Sequence, residues 1–339
     1  MQEARTGAAL RISRGMEMTS FVLSVRKRDA DAFGKSFGRP AYLCIPDEEE
    51  IPRPAHSTGG ASQWMKQIAD HANPKGAQGW LDVVFFVHGY NTDAREALLR
   101  QRLVEEEMKK RGFACMVIGF DWPTAGNAAL YSYDRFEAQD AASSLVRAGI
   151  IPFAKFTLED CPVNVHLIAH SMGGFVVREA FRSVDKGRDA YLANDWRIGQ
   201  LVLFAADISS NCFALGNPDM LPVFRHCGRL TNYYSGHDHA LAASNVKNID
   251  FSSRVGRVGM PLKTPANEKA LDVDCGPRYA ALRDRELKII DGMVSHSWYL
   301  EDVIWYDDLA HTLKGQLDRN VIPTRTFIAE NDFLLKSGV

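Results

Sequence analysis

Short apolar runs that end in turn residues alternate with segments of helical periodicity along this chain, and no other feature restricts its fold as strongly. The runs Val83–Val87, Gln200–Ala206 and Leu230–Tyr234 have the length of strands that are buried on both faces. Apolar residues between Met172 and Val184 instead recur at helical spacing. Strands that alternate with helices form βαβ units, so we predict an α/β protein with a mainly parallel central sheet and helices on both faces.

Further segments complete this pattern. Asp93 and Glu96 resemble the capping box that begins a helix, and we expect this helix to end at about Lys110. We also predict strands over residues 21–25, 41–45, 113–122, 163–169 and 270–274, and helices over 63–71, 133–148 and 298–313.

No stretch of the chain has the character of a linker between two cores, so we predict a single domain. Residues 1–20 are expected to form a flexible tail, and residues 21–78 to contribute extra strands and a loop. The core then spans 79–318 and contains an excursion near 242–290, which includes SSRVGRVGMPLKTPANE. Residues 319–339 are expected to form a C-terminal tail.

Charge and cysteine usage exclude several classes of protein. The chain has 40 basic and 42 acidic residues, a net charge of −2, so we expect neither a nucleic-acid partner nor an anionic membrane surface. No apolar run approaches the roughly 18 residues of a membrane span, and the first residues lack the apolar region of a secretory signal. The six cysteines show no zinc-site spacing. We therefore expect a cytoplasmic protein with reduced thiols.

The segment AHSMGG, residues 169–174, places Ser171 between a predicted strand and a predicted helix. A serine nucleophile on a sharp strand-to-helix turn needs small neighbours, which Ala169, Gly173 and Gly174 supply. The N-terminus of the helix would also favour the negative charge that develops during attack. The alternative is that Ser171 only caps the helix. We interpret Ser171 as a nucleophile, because residue types that would serve as its partners occur later in the chain.

Several motifs together resemble a bacterial branch of the α/β-hydrolases that is known mainly as a domain of unknown function. They are VFFVHGYN (84–91), FDWPTAG (120–126), YSYDR (131–135), AHSMGG (169–174), AADIS (205–209) and SGHDHAL (235–241). The resemblance covers about residues 80–315. It implies a single-domain α/β-hydrolase fold and an esterase-like or lipase-like serine hydrolase.

Within such a fold, two main-chain N–H groups would form the oxyanion hole. We assign one to Met172, which follows the nucleophile, and by resemblance the other to Tyr90, where Gly89 allows a close approach. The alternative for Gly89 is an ordinary turn. His88 and His170 are interpreted as structural residues, because the general base of this fold comes late in the chain.

The α/β-hydrolase order of serine, acid and histidine assigns the remaining catalytic roles. Asp238 follows the predicted strand at 230–234 and a glycine turn, so it is the predicted acid. Asp207, at the end of the preceding strand, is the alternative acid. His296 lies after the last predicted strand of the core and is the predicted base. Asp238 could instead be a surface turn residue, and His296 a structural histidine.

Other chemistries receive less support from the sequence. His237 and His239 flank Asp238, but alternate residues of an extended chain point in opposite directions, and no second ligand cluster is evident. We therefore predict no metal site. No glycine-rich nucleotide motif follows a strand, so no cofactor is expected.

These residues predict a serine hydrolase that cleaves small carboxylic esters through an acyl-enzyme. Alternatives are an acyltransferase or thioesterase with the same triad, and a non-catalytic binding or scaffold protein on the same fold. Aromatic residues of the resembling motifs and of the segment near the base are expected to line the substrate pocket: Trp122, Tyr131, Tyr133, Phe136 and Trp298.

Overall fold

The structure of the protein is a computed structural model. The structure describes residues 19–73, 81–124, 131–153, 163–186, 196–247, 252–262, 264, 268–282, 286–315 and 321–338, with the backbone alone for 131–134, 185–186 and 244–247.

Within the described ranges, ten strands form one sheet in the order β2-β1-β4-β3-β5-β6-β7-β8-β10-β9. Neighbouring strands from β1 and β4 through to β8 and β10 are parallel, and only the outermost strands, β2 and β9, pair antiparallel with their neighbours. The mainly parallel α/β sheet predicted from the sequence is therefore confirmed. The strands are β1 (Thr19–Arg28), β2 (Phe33–Pro46), β3 (Asp82–Val87), β4 (Cys115–Asp121), β5 (Val165–His170), β6 (Ile198–Phe204), β7 (Cys227–Tyr234), β8 (Ala270–Asp274), β9 (Arg325–Ala329) and β10 (Asp332–Leu335).

Helices cover both faces of this sheet. The α-helices are α1 (Ala61–Ala72), α2 (Ala94–Lys110), α3 (Tyr131–Ser144), α4 (Met172–Lys186), α5 (Leu221–His226), α6 (His239–Lys247), α7 (Val255–Val258), α8 (Gly276–Ala281), α9 (Val294–Ser297) and α10 (Val303–Lys314). A π-helical turn, Leu145–Ile150, continues α3, and 3₁₀ turns span Pro54–His56, Ser210–Phe213 and Trp298–Glu301.

The two largest apolar cores of the described residues lie on opposite faces of the sheet. One core packs α1, α3 and α4 against the sheet through residues such as Trp64, Ala138 and Phe175. The other packs α2 and α10 through residues such as Val104 and Leu309. The central strands β3, β4 and β5 are almost entirely buried because both of their faces are covered, which explains their continuous apolar sequences.

The strand order reverses at the centre of the sheet. From β3 the chain passes to β4 on one side, and it later returns to β5 on the other side of β3. The connections after β3 and β5 therefore lead to opposite faces and leave a crevice at the carboxyl ends of these strands, where open α/β sheets place their ligands. Gly89 and Ser171 lie at this crevice.

The C-terminal residues differ from their prediction. Residues 319–339 were expected to form a tail, but Arg325–Ala329 and Asp332–Leu335 form β9 and β10, and β10 extends the parallel sheet beside β8. These strands are short and lie at the edge of the sheet, so they lack the continuous buried run of the central strands. Their sequence signal was correspondingly weak.

The predicted helix over 298–313 is divided in two. Asp302 accepts a hydrogen bond from the Trp305 N–H (2.8 Å) and begins α10 as a cap, so the turn Trp298–Glu301 stands apart. Val303, the first residue of α10, is 59% exposed, whereas Leu300 and Leu313 are buried.

Candidate active site

Ser171 occupies a strained turn between β5 and α4. Its φ angle is +55°, in the left-handed region that few residues other than glycine adopt. A Cβ on Gly173 would overlap the Val87 carbonyl oxygen and lie 2.6 Å from that of His88. A Cβ on Gly89 would lie 2.9 Å from the Ser171 Cβ. The turn therefore requires the small residues that the sequence provides.

Main-chain hydrogen bonds hold this turn in place. The Ser171 N–H donates to the Phe204 carbonyl (3.2 Å), and the Ser171 carbonyl accepts from the N–H groups of Gly174 (3.0 Å) and Asp207 (2.9 Å). The end of β6 and the loop that follows it thus support the serine through both its N–H and its carbonyl group. Such support is what allows a residue to persist in a strained conformation.

His296 and Asp238 are brought together from positions 58 residues apart. His296 Nδ1 lies 2.7 Å from Asp238 Oδ2, and the Asp238 side chain is completely buried. Asp238 precedes α6, and its Oδ1 accepts a hydrogen bond from the Leu241 N–H (2.9 Å), as a helix cap does. An ionised carboxylate can only accept, so His296 Nδ1 carries the proton of this bond and Nε2 is left with a free lone pair.

The alternative acid, Asp207, has a different partner. Its Oδ1 lies 3.3 Å from Nε of Arg254, and both side chains are buried. Asp207 also lines the cavity beside Ser171. In the structure it is Asp238, and not Asp207, that contacts His296.

The loop after β3 is built on a stacked pair of rings. The His88 ring stacks on Trp122 with 5.5 Å between centroids, and the Trp122 indole N–H donates to the His88 carbonyl (2.9 Å). His88 Nε2 accepts from the Trp122 main-chain N–H (3.2 Å), so its Nδ1 is the nitrogen that donates to the Gly89 carbonyl (2.9 Å). Burial lowers the pKa of His88, which favours this neutral form, although Asp121 opposes the shift.

A buried ion pair lies beneath the same loop. Arg26, on β1, contacts Asp121 at 2.6 Å and donates a second hydrogen bond to the Thr92 carbonyl (2.8 Å). Burial alone would raise the pKa of Asp121, but the Arg26 charge and the nearby His88 outweigh it and lower that pKa to about 2. The first strand of the chain therefore holds the loop that contains Tyr90.

A clamp on α2 holds the segment before the base. Arg100 contacts Glu96 at 2.8 Å and donates to the Asp291 carbonyl (2.6 Å), while Glu96 accepts from the Asp291 N–H (3.2 Å). Asp93 caps α2 as expected, accepting from the Glu96 N–H (2.8 Å). The Glu96 carboxylate binds Arg100 and Asp291, so this clamp takes the place of the predicted reciprocal bond of the capping box.

Ser171 and His296 line one cavity with a volume of about 680 Å³. The charged residues that line it are Arg26, Lys35, Asp93, Glu96, Arg100, Asp207 and Asp291. Apolar side chains come from different elements, namely Phe33, Leu241 and Met293. Tyr90 also lines this cavity, whereas the Met172 side chain packs in the core, so Met172 offers the site only its main chain.

The expected pocket aromatics need correction. Trp122 is fully buried beneath the β3 loop, and Trp298 is fully buried against Tyr299, with 4.3 Å between ring centroids. Phe136, on α3, is 67% exposed and does not line the cavity. Aromatic side chains more often fill a core than line a pocket, and this applies to both tryptophans. The side chains of Tyr131 and Tyr133 lie outside the described residues.

Sequence reasoning missed the residues that support the loops of the site, which are Arg26, Glu96, Arg100 and Arg254. The long-range partners of these side chains are 47 to 195 residues away in the chain, and no local pattern connects such distant positions. Across the part of the chain that is described, no three His, Cys, Asp or Glu side chains are grouped to hold a metal ion. No helix within the described ranges is long and apolar enough to cross a membrane. The five cysteines in these ranges are free thiols.

Comparison with known proteins identifies the family. Residues 67–288, more than half of the chain, match the family described as alpha/beta hydrolase of unknown function (DUF900). No curated protein matches the chain.

Several solved structures show low similarity. A dienelactone hydrolase from Anabaena variabilis has 18% identity, covers 53% of this chain and 72% of its own, and gives a TM-score of 0.28. A carboxyl esterase 2 from Tuber melanosporum has 12% identity, and the match covers 69% of this chain and 72% of the esterase chain with a TM-score of 0.31. A putative hydrolase from Agrobacterium vitis has 11% identity, and the match covers 70% of this chain and 88% of the hydrolase chain with a TM-score of 0.34. TM-scores this low support no conclusion about substrate. The family match is specific, and this chain belongs to the alpha/beta hydrolases of unknown function.

Proposed function

We propose that this protein is a serine hydrolase that cleaves carboxylic esters of small molecules through an acyl-enzyme. Ser171 is the nucleophile, His296 the general base and Asp238 the acid that orients it. The observation that carries the proposal is the 2.7 Å contact between His296 Nδ1 and a completely buried Asp238, beside a cavity that Ser171 also lines.

The first half of the reaction forms the acyl-enzyme. Ser171 Oγ attacks the carbonyl carbon of the ester while its proton passes to His296 Nε2. Asp238 stabilises the imidazolium that results. The main-chain N–H groups of Met172 and Tyr90 donate to the oxyanion. When the tetrahedral intermediate collapses, the ester C–O bond breaks and the alcohol leaves with the proton from His296.

The second half releases the acid. A water molecule gives a proton to His296 Nε2 and attacks the acyl carbon, and the bond to Ser171 Oγ then breaks as that oxygen regains a proton. The left-handed turn at Ser171 supports this proposal, because it places the residue at the start of α4, where the helix dipole favours negative charge.

The cavity favours a substrate that combines polar and apolar groups. Arg26 and Arg100 are paired with carboxylates, so neither contributes an unbalanced charge to the lining. Phe33 and Lys35, from the β1–β2 hairpin, form part of one wall. This hairpin precedes the segment that matches the family, 67–288, so we propose that it adds a preference particular to this chain.

A fluorophosphonate probe followed by p-nitrophenyl esters of rising chain length tests the proposal. We expect the wild-type protein to be labelled at Ser171 and to hydrolyse at least one ester. Ser171→Ala and His296→Ala should each abolish turnover, and the double variant should be little worse than either single one, since members of a triad act as a unit. Ser297→Ala, which changes another serine of the cavity, should remain labelled.

Three outcomes separate the alternatives. Full activity of a folded Ser171→Ala protein would contradict the proposal. Absence of both labelling and turnover in the wild-type protein would favour a binding or scaffold role. Ester product that depends on added alcohol, or a strong preference for thioesters, would favour an acyltransferase or a thioesterase with the same residues.

A further inference from the structure

His170 is the last residue of β5, directly before the proposed nucleophile, and it is almost completely buried. Its ring stacks on Phe204 with 4.7 Å between centroids, and it lies 4.8 Å from the His296 ring. Its Nε2 is 3.2 Å from the main-chain carbonyl oxygen of His296. The residue beside the proposed nucleophile therefore contacts both the ring and the backbone of the proposed base.

The hydrogen bond determines which ring nitrogen of His170 carries the proton. A carbonyl oxygen can only accept, so Nε2–H is the donor. Burial lowers the pKa of His170 well below its ordinary value, and the nearby His296 and Arg100 lower it further. The ring is then neutral with an unprotonated Nδ1, which agrees with the absence of any hydrogen-bond partner for that nitrogen in the described structure.

The element that carries the base is short. His296 belongs to α9, which has four residues and no side-chain cap at Met293. The contact with Asp238 holds only the imidazole ring of His296. Ser295 Oγ, also on α9, accepts a hydrogen bond from the His239 N–H of α6 (3.3 Å). The bond from His170 instead joins α9 to the turn that contains Ser171. It therefore restrains the distance between the two residues that must exchange a proton.

We propose that His170 is a positioning residue for the base, and that its Nε2–H holds the His296 backbone so that the imidazole meets Ser171 in a productive geometry. This inference rests on the proposed function. The alternative is a packing role, in which His170 only fills the space between Phe204 and Gly89. A phenylalanine would fill that space equally well but could not donate a hydrogen bond to the His296 carbonyl. The positioning role and the packing role therefore predict different results for His170→Phe.

Three variants separate the hydrogen bond from packing. His170→Phe keeps an aromatic ring beside Phe204 and removes the donor. His170→Gln keeps a donor at about the position of Nε2. His170→Asn has an amide that is too short to reach the carbonyl. Thermal unfolding and circular dichroism establish that each variant is folded.

We expect His170→Phe and His170→Asn to lower kcat and the rate of fluorophosphonate labelling by about 10- to 100-fold, because small misplacements of reacting groups have effects of this size. KM should change little. His170→Gln should recover most of the lost rate. If the phenylalanine variant does not fold, the comparison of glutamine with asparagine carries the test.

A readout that needs no turnover makes the test independent of the proposed function. The proton between His296 Nδ1 and Asp238 should give a low-field proton resonance in the wild-type protein and in His170→Gln. We expect it to broaden or disappear in His170→Phe. Unchanged labelling and an unchanged resonance in the phenylalanine variant would overturn the inference, as would a glutamine variant as impaired as the phenylalanine one. If Ser171→Ala remained active, the proposed function would fail, while the resonance would still report on His170.

Discussion

At the scale of single residues, the site depends on conformations that the chain would not adopt without support. A left-handed serine costs about 1–3 kcal/mol. Hydrogen bonds from the Asp207 and Gly174 N–H groups to the Ser171 carbonyl offset this cost. The same aspartate that supports the serine through its backbone is paired through its side chain with Arg254. Asp207 is therefore tied to the geometry of the turn, whereas Asp238 contacts the proposed base.

This division of roles predicts different results for two conservative substitutions. Asp238→Asn should retain the shape of the site but favour the wrong tautomer of His296, so we expect turnover to fall by as much as about 10⁴-fold. Asp207→Asn removes the charge partner of the buried Arg254 and should mainly lower the free energy of unfolding. Ester hydrolysis and chemical denaturation of both variants measure these two effects. A larger loss of turnover in a folded Asp207→Asn protein would reverse the assignment.

At the scale of secondary-structure elements, buried charges fasten strands near both ends of the sheet. Arg26 on β1 contacts Asp121 on β4, one of the central strands. At the other end, Arg325 on β9 contacts Asp308 on α10 at 2.6 Å, and both side chains are buried. Tyr233, on β7, donates its hydroxyl proton to the same carboxylate (2.6 Å). Four of the five residues of β9 are exposed, so this buried network, more than apolar packing, anchors the strand.

Asp308→Ala should therefore destabilise the protein strongly. It leaves the guanidinium of Arg325 buried without its carboxylate, and breaking a buried pair in this way costs about 3–5 kcal/mol. Asp307→Ala is the matched control, because the neighbouring Asp307 pairs with Arg111 nearer the surface and should contribute less than about 1 kcal/mol. Urea denaturation measures both changes. Similar losses for the two variants would show that the buried network does not anchor β9.

At the scale of the whole molecule, three carboxylates of two neighbouring strands meet on one face of the sheet. Asp272 on β8 is the direct neighbour of Asp332 on β10, and Asp274 follows two residues later. Asp272 accepts hydrogen bonds from the Asn232 side chain (2.7 Å) and the Met260 N–H (2.6 Å). Burial nevertheless raises the pKa of Asp272 to about 7, and Asp332 and Asp274 contribute to this rise.

This raised pKa makes stability depend on pH. Between about pH 4 and pH 7 the folded protein retains a proton on Asp272 that the unfolded chain has lost, so this group's contribution to the free energy of unfolding decreases as the pH rises. A shift of about three pKa units corresponds to at most about 4 kcal/mol. The buried His88 and His170, whose pKa values are lowered, act in the opposite direction.

A comparison of the wild-type protein with Asp272→Asn isolates the contribution of the Asp272 carboxyl group, because His88 and His170 are present in both proteins. We expect the stability of Asp272→Asn relative to wild type to increase steadily between pH 4 and pH 8 in urea denaturation experiments. The size of the difference in unfolding free energy between the two proteins also reflects the changed hydrogen bonds to Asn232 and Met260. The informative quantity is therefore the change of this difference with pH. A difference that does not vary with pH would contradict the raised pKa.

The sequence by itself determined the alternation of strands and helices, the parallel centre of the sheet and the turn at Ser171. Each of these depends on local patterns: buried runs of strand length, helical spacing, and small residues around one serine. It also indicated Asp238 and His296 as candidates through the resemblance to the α/β-hydrolases, in which serine, acid and histidine follow in that order along the chain.

Only the tertiary structure decided which residues surround and support the site. The contacts of Arg26 with Asp121, of Arg100 with Asp291 and of His170 with the His296 carbonyl join segments 95, 191 and 126 residues apart. The same limit explains why Trp122 and Trp298 were expected in the pocket and lie in the core. Hydrophobic patterning specifies that an aromatic side chain is buried, whereas the packing of distant elements decides whether it faces a cavity or fills the interior.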